Sequence, residues 1–249
     1  MCFLSEAMLS SDHSLLSPLA ECAILATISG RVLSHSQASN LQCAYGSSTM
    51  DFWLRHEWLD AMVSKSLESL STKYPVISAV GDPMHFFALM LAQVSIITLC
   101  QVVEACGTDS QDELSTVCNS QRRAAQAAQD IAVLSRAHEH IGYFKVCLCP
   151  GPSRVLELIL RQAHIFLPEA IYLGATCLAS QKCRRRSVDD IDPFSTDFCG
   201  ASDATNDYAA DADIAHCIST LRKMQSFNNL AKENLQVLET PKFMVNFTF

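Results

Sequence analysis

The segment Asp51 to Pro75, with the Gly81-Asp82-Pro83 corner behind it, constrains the fold of this chain more than any other. Leu59, Met62, Val63, Leu67, Leu70 and Tyr74 recur every three or four residues, while Glu57, Asp60, Ser64, Glu68 and Ser71 occupy the opposite side. That is the period of an amphipathic helix with one buried stripe. Ser48-x-x-Asp51 has the form of a capping box, and its carboxylate suits the positive end of the helix dipole. Tyr74-Pro75 stops the helix, because the residue before a proline is pushed out of the α region. Asp82-Pro83 opens the next one, since proline at the first helical position lacks only an N–H that no helix would pair. A helix–loop–helix results, and its apolar stripe must be covered by further helices.

The remaining chain supplies them. Ser17-Pro18 is a helix start, and Cys22, Leu25, Ile28, Val32 and Leu33 carry that helix to about Gln37, with a polar loop over 38–48. Residues 83–105 are apolar nearly all round, which places their helix at the centre of a bundle. Ser110-x-x-Glu113 caps a helix running to Ile141. Pro150-Gly151-Pro152 breaks the chain, Ser153 to Phe166 is helical, Pro168 ends or kinks that helix, and Glu169 to Lys182 continues as another. Aspartates crowd the stretch 184–209, which reads as an acidic mobile linker, and a last helix spans about Ala210 to Leu238. No β alternation and no internal repeat occur. The predicted fold is all-α, a bundle of six to eight helices without a sheet, organised as a helical body over 1–183, the linker over 184–209 and a C-terminal helix over 210–240 that packs back on the bundle.

Hydrophobic residues make up 49% and charged residues 18% of the 249 positions, so a sizeable core can be buried. Only 8 glycines argue against a turn-rich β-sandwich or a glycine-rich cofactor fold. The formal charge of −8 opposes direct DNA contact, because phosphate binding draws its affinity from Lys and Arg. Phe86 to Val103, the most apolar run, is interrupted by Gln93, Ser95, Thr98 and Gln101, as a buried helix is and a membrane span is not. Glu6 and Asp12 fall where a signal peptide would be apolar. The twelve cysteines then read as reduced thiols of an intracellular protein.

The run Asp51-Phe52-Trp53-Leu54-Arg55-His56-Glu57-Trp58-Leu59-Asp60-Ala61-Met62, then Leu67-Glu68-x-Leu70-Ser71-x-x-Tyr74-Pro75, then Asp82-Pro83-Met84, resembles the fungal-specific transcription factor domain. That domain is the helical regulatory region downstream of the zinc binuclear cluster in fungal regulators. Upstream, Gly30-Arg31-Val32-Leu33-Ser34-His35 is similar to the helix that precedes it there. The resemblance covers roughly residues 15–106. It implies a transcriptional regulator acting in the nucleus, with no enzymatic activity, whose partners are other transcription regulators, a zinc-cluster protein or a second copy of the chain among them. Past Gly107 the helices rest on periodicity alone.

Few residues suggest chemistry. A binuclear zinc cluster needs two C-x-x-C pairs and two single cysteines, and this chain has no C-x-x-C, so the chain either works without the cluster or is part of a longer regulator. His56-Glu57-x-x-Asp60 approaches the H-E-x-x-H zinc motif, but Asp60 stands in the place of the second histidine and the polar helix surface explains all three. His138 and His140 diverge on a helix. Cys147-Leu148-Cys149 has only Lys145 beside it to lower a thiol pKa. We therefore expect no catalytic, cofactor-binding or metal-ligating residue. Lys182-Cys183-Arg184-Arg185-Arg186 reads either as a nuclear import cluster or as a basic helix end. Asp189 to Phe198 has the acidic and aromatic composition of an activation segment, or of a solvated linker. Trp53, Trp58, Phe86 and Phe87 are expected in the packed core. A regulator working through protein contacts or by sensing an apolar effector is the leading expectation, and a helical accessory protein or enzyme of a metabolic pathway is the alternative.

Overall fold

A computed structural model describes residues 17–45, 50–73, 83–106, 111–141, 154–189, 204–226 and 228–240. Among them are seven helices and no strand: α1 Pro18–Tyr45, α2 Met50–Lys73, α3 Pro83–Ala105, α4 Gln111–Ile141, α5 Arg154–Asp189, α6 Ala204–Met224 and α7 Asn229–Leu238. The all-α expectation is met. The chain divides into two compact units, residues 1–127 and 128–249, with the boundary inside α4.

In the first unit α3 packs against both α1 and α2, which also touch each other. Its Phe86, Ala88, Leu89, Met90, Ile96, Ile97, Leu99 and Val103 are buried. Met84–Ala105 is long and apolar enough to cross a membrane, yet most of it is buried inside this unit, as a core helix is. Its Ser95 is satisfied internally: the hydroxyl donates to the Leu91 carbonyl at 2.7 Å and lies 2.8 Å from the Ser29 hydroxyl of α1.

α1 starts as expected, with the Ser17 hydroxyl accepting the Ala20 N–H at 3.3 Å. It then runs to Tyr45, eight residues beyond the expected end at Gln37. The inward stripe explains the extension. Ile28, Val32, His35 and Ser39 are all buried, and no glycine or proline interrupts the chain between Gly30 and Gly46. Packing of that face outweighs the turn-like composition of 38–45. On α2, Phe52, Leu59, Val63 and Leu70 are buried, each worth roughly 1.5–3 kcal/mol as transferred apolar surface. Ser48, Tyr74-Pro75 and Gly81-Asp82 lie outside the described residues.

One polar knot ties the three helices together at one end. Lys73 Nζ lies 2.5 Å from Glu21 Oε1, and His85 Nε2 lies 3.6 Å from Glu21 Oε2, with Glu21 and His85 both buried.

The second unit holds residues 128–141 of α4 with α5, α6 and α7; α5 packs on α6 and α7, which pack on each other. Here the sequence expectations are revised three times. Pro168 neither ends nor interrupts the assigned helix, which is continuous over Arg154–Asp189. An interior proline costs roughly 3 kcal/mol, and the burial of Leu167, Ala170, Ile171, Ala175 and Leu178 offsets it. Asn234 of α7 binds at the same place, its Nδ2 donating to the Pro168 carbonyl at 3.3 Å and to Glu169 Oε2 at 3.2 Å.

The second revision concerns 184–209, expected as a linker. α5 reaches Asp189 and α6 begins at Ala204, while 190–203 lie outside the described residues. In the third, the expected single helix over 210–238 is broken between Met224 and Asn229. Asn228 is the cause: its extended backbone and its side-chain oxygen, accepting the Ala231 N–H at 3.1 Å, start a new helix. Gly174 permits a close approach of α5 to α4, since a Cβ there would meet Ile131 Cγ2 at 3.1 Å.

Candidate functional site

The two sequence landmarks, Gly30–His35 and Asp51–Met62, lie on separate helices, and the fold brings them together. Val32 and Ser39 turn inward on α1, and helical spacing carries His35 with them to 1% exposure. Phe52 and Leu59 orient α2 in the same way, which brings His56 to the junction. The His35 ring stacks on Phe52 with centroids 4.6 Å apart, and its Nε2 lies 3.3 Å from His56 Nδ1. At that distance one imidazole donates and the other accepts. The second ring nitrogen of His35, Nδ1, is buried without a hydrogen-bond partner.

Aromatic rings continue outward from this pair. Trp53 meets His56 edge-on at 5.8 Å and Phe52 at 5.3 Å, and the Arg31 guanidinium of α1 lies 5.6 Å over the Trp58 ring. Trp53 and Trp58 are thus 37% and 38% exposed rather than core residues, with Leu54 at 55% beside them. Of the other aromatics singled out from sequence, Phe86 is buried and Phe87 half-buried.

The polar side of the junction is held from α4. Arg123 lies 2.6 Å from Asp60 Oδ1 and donates to Asp60 Oδ2 and to the Ser64 hydroxyl, both at 2.7 Å. Of the three residues read as a solvated surface, Glu57 is exposed, whereas Asp60 is occupied by Arg123 and His56 faces His35. Burial holds His35 down to about 4, helped by His56 and the Arg55 charge. Burial also lowers His56, with Asp60 pulling the other way, Arg123 adding to the lowering and Glu57 opposing it. Both rings are therefore neutral near pH 7.

Among the described residues no three His, Cys, Asp or Glu side chains are grouped to hold a metal ion. Burial raises the thiols of Cys22, Cys100 and Cys217, Cys100 to about 11 and Cys217 to about 12. Those three sulfurs stay protonated and unreactive near pH 7. Cys147, Cys149 and the 142–153 loop lie outside the described residues, as do the side chains of His138 and His140. Lys182, first of the basic run, is 5% exposed and paired with Asp211 of α6, and α5 continues past it to Asp189. That lysine is an interior ion-pair partner and presents no free charge to a receptor. Arg184 is exposed. The sequence analysis missed the His35–His56 contact, whose signal was His35 on the apolar stripe of α1. It also missed Arg123, for which no local signal exists.

The chain is 31% identical, over 95% of its length, to the pigment biosynthesis transcriptional activator pigB of Monascus ruber. It is 38% identical over 58% of its length to the citrinin biosynthesis transcriptional activator mrl3 of the same organism, and 36% identical over 58% to the azaphilone cluster-specific transcription factor azaR of Aspergillus niger. Its relatives are fungal transcription factors. The chain spans about a third of their lengths: 36%, 28% and 31% respectively. No family model matches the chain, and no solved structure matches it. Each of these names describes a regulator of transcription.

Proposed function

We propose that this chain is the helical regulatory part of a fungal pathway-specific transcription factor, acting in the nucleus through protein–protein contacts and not through catalysis. The observation that carries this reading is the similarity to a named transcriptional activator along 95% of the chain. The structure supports the contact mechanism: Trp53, Leu54 and Trp58 are displayed at the surface, with Arg31 over Trp58. Trp and Arg are the side chains that dominate binding energy at protein interfaces. A formal charge of −8 and the lack of any C-x-x-C pair argue that DNA is reached through a zinc-cluster partner, or through a segment that this sequence does not include. The test is chromatin occupancy of the tagged chain in a fungal host, beside a Trp58→Ala, Leu54→Ala variant. Discrete promoter peaks that disappear in the variant support the reading. A flat profile from a soluble, abundant protein overturns the promoter-bound role.

A further inference from the structure

The buried junction between α1 and α2 has a property that a purely structural contact does not need. Its interhelical hydrogen bond joins two imidazoles, His35 Nε2 and His56 Nδ1 at 3.3 Å, so it requires a lone pair on one ring facing an N–H on the other. A single added proton leaves one ring donating to the other's lone pair, whereas protonation of both rings removes that lone pair and sets two charges side by side. On His35 the extra N–H has nowhere to go, because Nδ1 is buried with no acceptor and the ring is stacked on Phe52. We propose that the His35–His56 contact is an acid-operated latch, closed while both rings are neutral and released from the α1–α2 junction when they gain protons.

The surrounding charges leave the protonated state uncompensated at His35. From α2, Arg55 disfavours a charge on His35, and His56 does so once protonated. Glu57 and Asp60 favour a charge on His56, but Arg123 of α4 neutralises Asp60. α3 brings Cys100, which stays protonated and feels Arg123, Asp60 and Glu104. α1 adds Arg31, stationed over Trp58. Among the described residues no carboxylate is positioned to welcome an imidazolium at His35, whereas solvent does so once the helices part. Each proton bound only by the open state raises the opening constant tenfold per pH unit below the ordinary histidine range, and two raise it a hundredfold. This device rests on the geometry of the junction and does not depend on the transcriptional reading.

The chain reports on itself, because its only two tryptophans, Trp53 and Trp58, both lie at this junction. Tryptophan emission and hydrogen exchange of the full 249-residue chain are measured from pH 7.5 to 5.0. The expected result is a reversible emission change together with at least a tenfold loss of protection, corrected for intrinsic exchange, in residues 30–39 and 50–62. His35→Leu abolishes both; should that variant fail to fold, His56→Gln removes the same hydrogen bond from the half-buried side. His85→Gln, which alters the separate Glu21 knot, leaves the transition in place. Unchanged protection at pH 5.0 in the unaltered chain overturns the latch. So does a transition that survives both His56→Gln and a folded His35→Leu, or one that His85→Gln abolishes.

Discussion

The two units fasten their helices alike in one respect and differently in another. Both use pairs of opposite formal charge, Glu21 with Lys73 and Asp60 with Arg123 in residues 1–127, Lys182 with Asp211 and Arg136 with Asp213 in residues 128–249. Residues 1–127 add a contact between two neutral imidazoles, His35 against His56, and residues 128–249 add the neutral amide of Asn234 at Pro168. Breaking a buried ion pair leaves a charge stranded, at a cost of several kcal/mol. An imidazole pair is held by a lone pair on one ring, which is lost once both rings are protonated. On the proposed latch, the first unit therefore carries an acid-operated fastening beside its ion pairs.

The strongest way to break that comparison is to remove Phe52, which is 2% exposed and supports the His35 ring. Phe52→Ala should destabilise the first unit by about 3–5 kcal/mol. In urea, hydrogen exchange should show residues 18–105 unfolding at lower denaturant while α5–α7 keep their protection. Simultaneous loss of both would mean that the units unfold as one, and the contrast would have no thermodynamic content.

The acid response sharpens it. His35 is held below its ordinary value, so the unfolded state binds the extra proton first. The stability associated with neutral His35 is complete above about pH 6.5 and is lost as pH falls toward about 4. The loss approaches ~3 kcal/mol for this group, at 1.36 kcal/mol per pKa unit. Urea midpoints of α1–α3 measured at pH 7.5, 6 and 5 should fall, while those of α5–α7 shift less. Equal shifts in the two units would erase the distinction.

The smallest effects test the second unit alone. Gly174→Ala places a methyl 3.1 Å from Ile131 Cγ2 and should cost about 1–3 kcal/mol. Asn228→Ala removes the cap on α7 and should cost about 1 kcal/mol, seen as faster exchange in 229–238 with α1–α3 unaffected.

Long apolar stripes and proline corners were legible in the sequence, because they report on a helix's own face. The α2 stripe and the start of α3 at Pro83 read correctly for that reason. Errors arose where a distant side chain decided the outcome. Pro168 stays within a helix whose face is buried, with Asn234, 66 positions away, bound at its carbonyl. The basic run from Lys182 allowed two readings, an import cluster or a basic helix end, and the pairing of Lys182 itself was hidden because its acidic partner Asp211 comes from another helix. Asn228 was the opposite failure, a local cap obscured by the apolar period on both sides of it. For the site, the landmarks themselves were legible from 30–35 and 51–62. Their union was not, since periodicity says which face is buried and leaves open what it is buried against.

The order in which the chain is made matters for α3. This helix is apolar enough to enter a bilayer, and its two covering partners, α1 and α2, both precede it in the sequence. During synthesis its greasy surface is therefore the last of the three to emerge, at a moment when the faces of Ile28, Val32, Leu59 and Val63 already await it. Had the order been reversed, the most aggregation-prone segment would have waited unprotected for helices not yet made. Circular permutants that place α3 ahead of α1 would carry the same contacts and a far more hazardous birth.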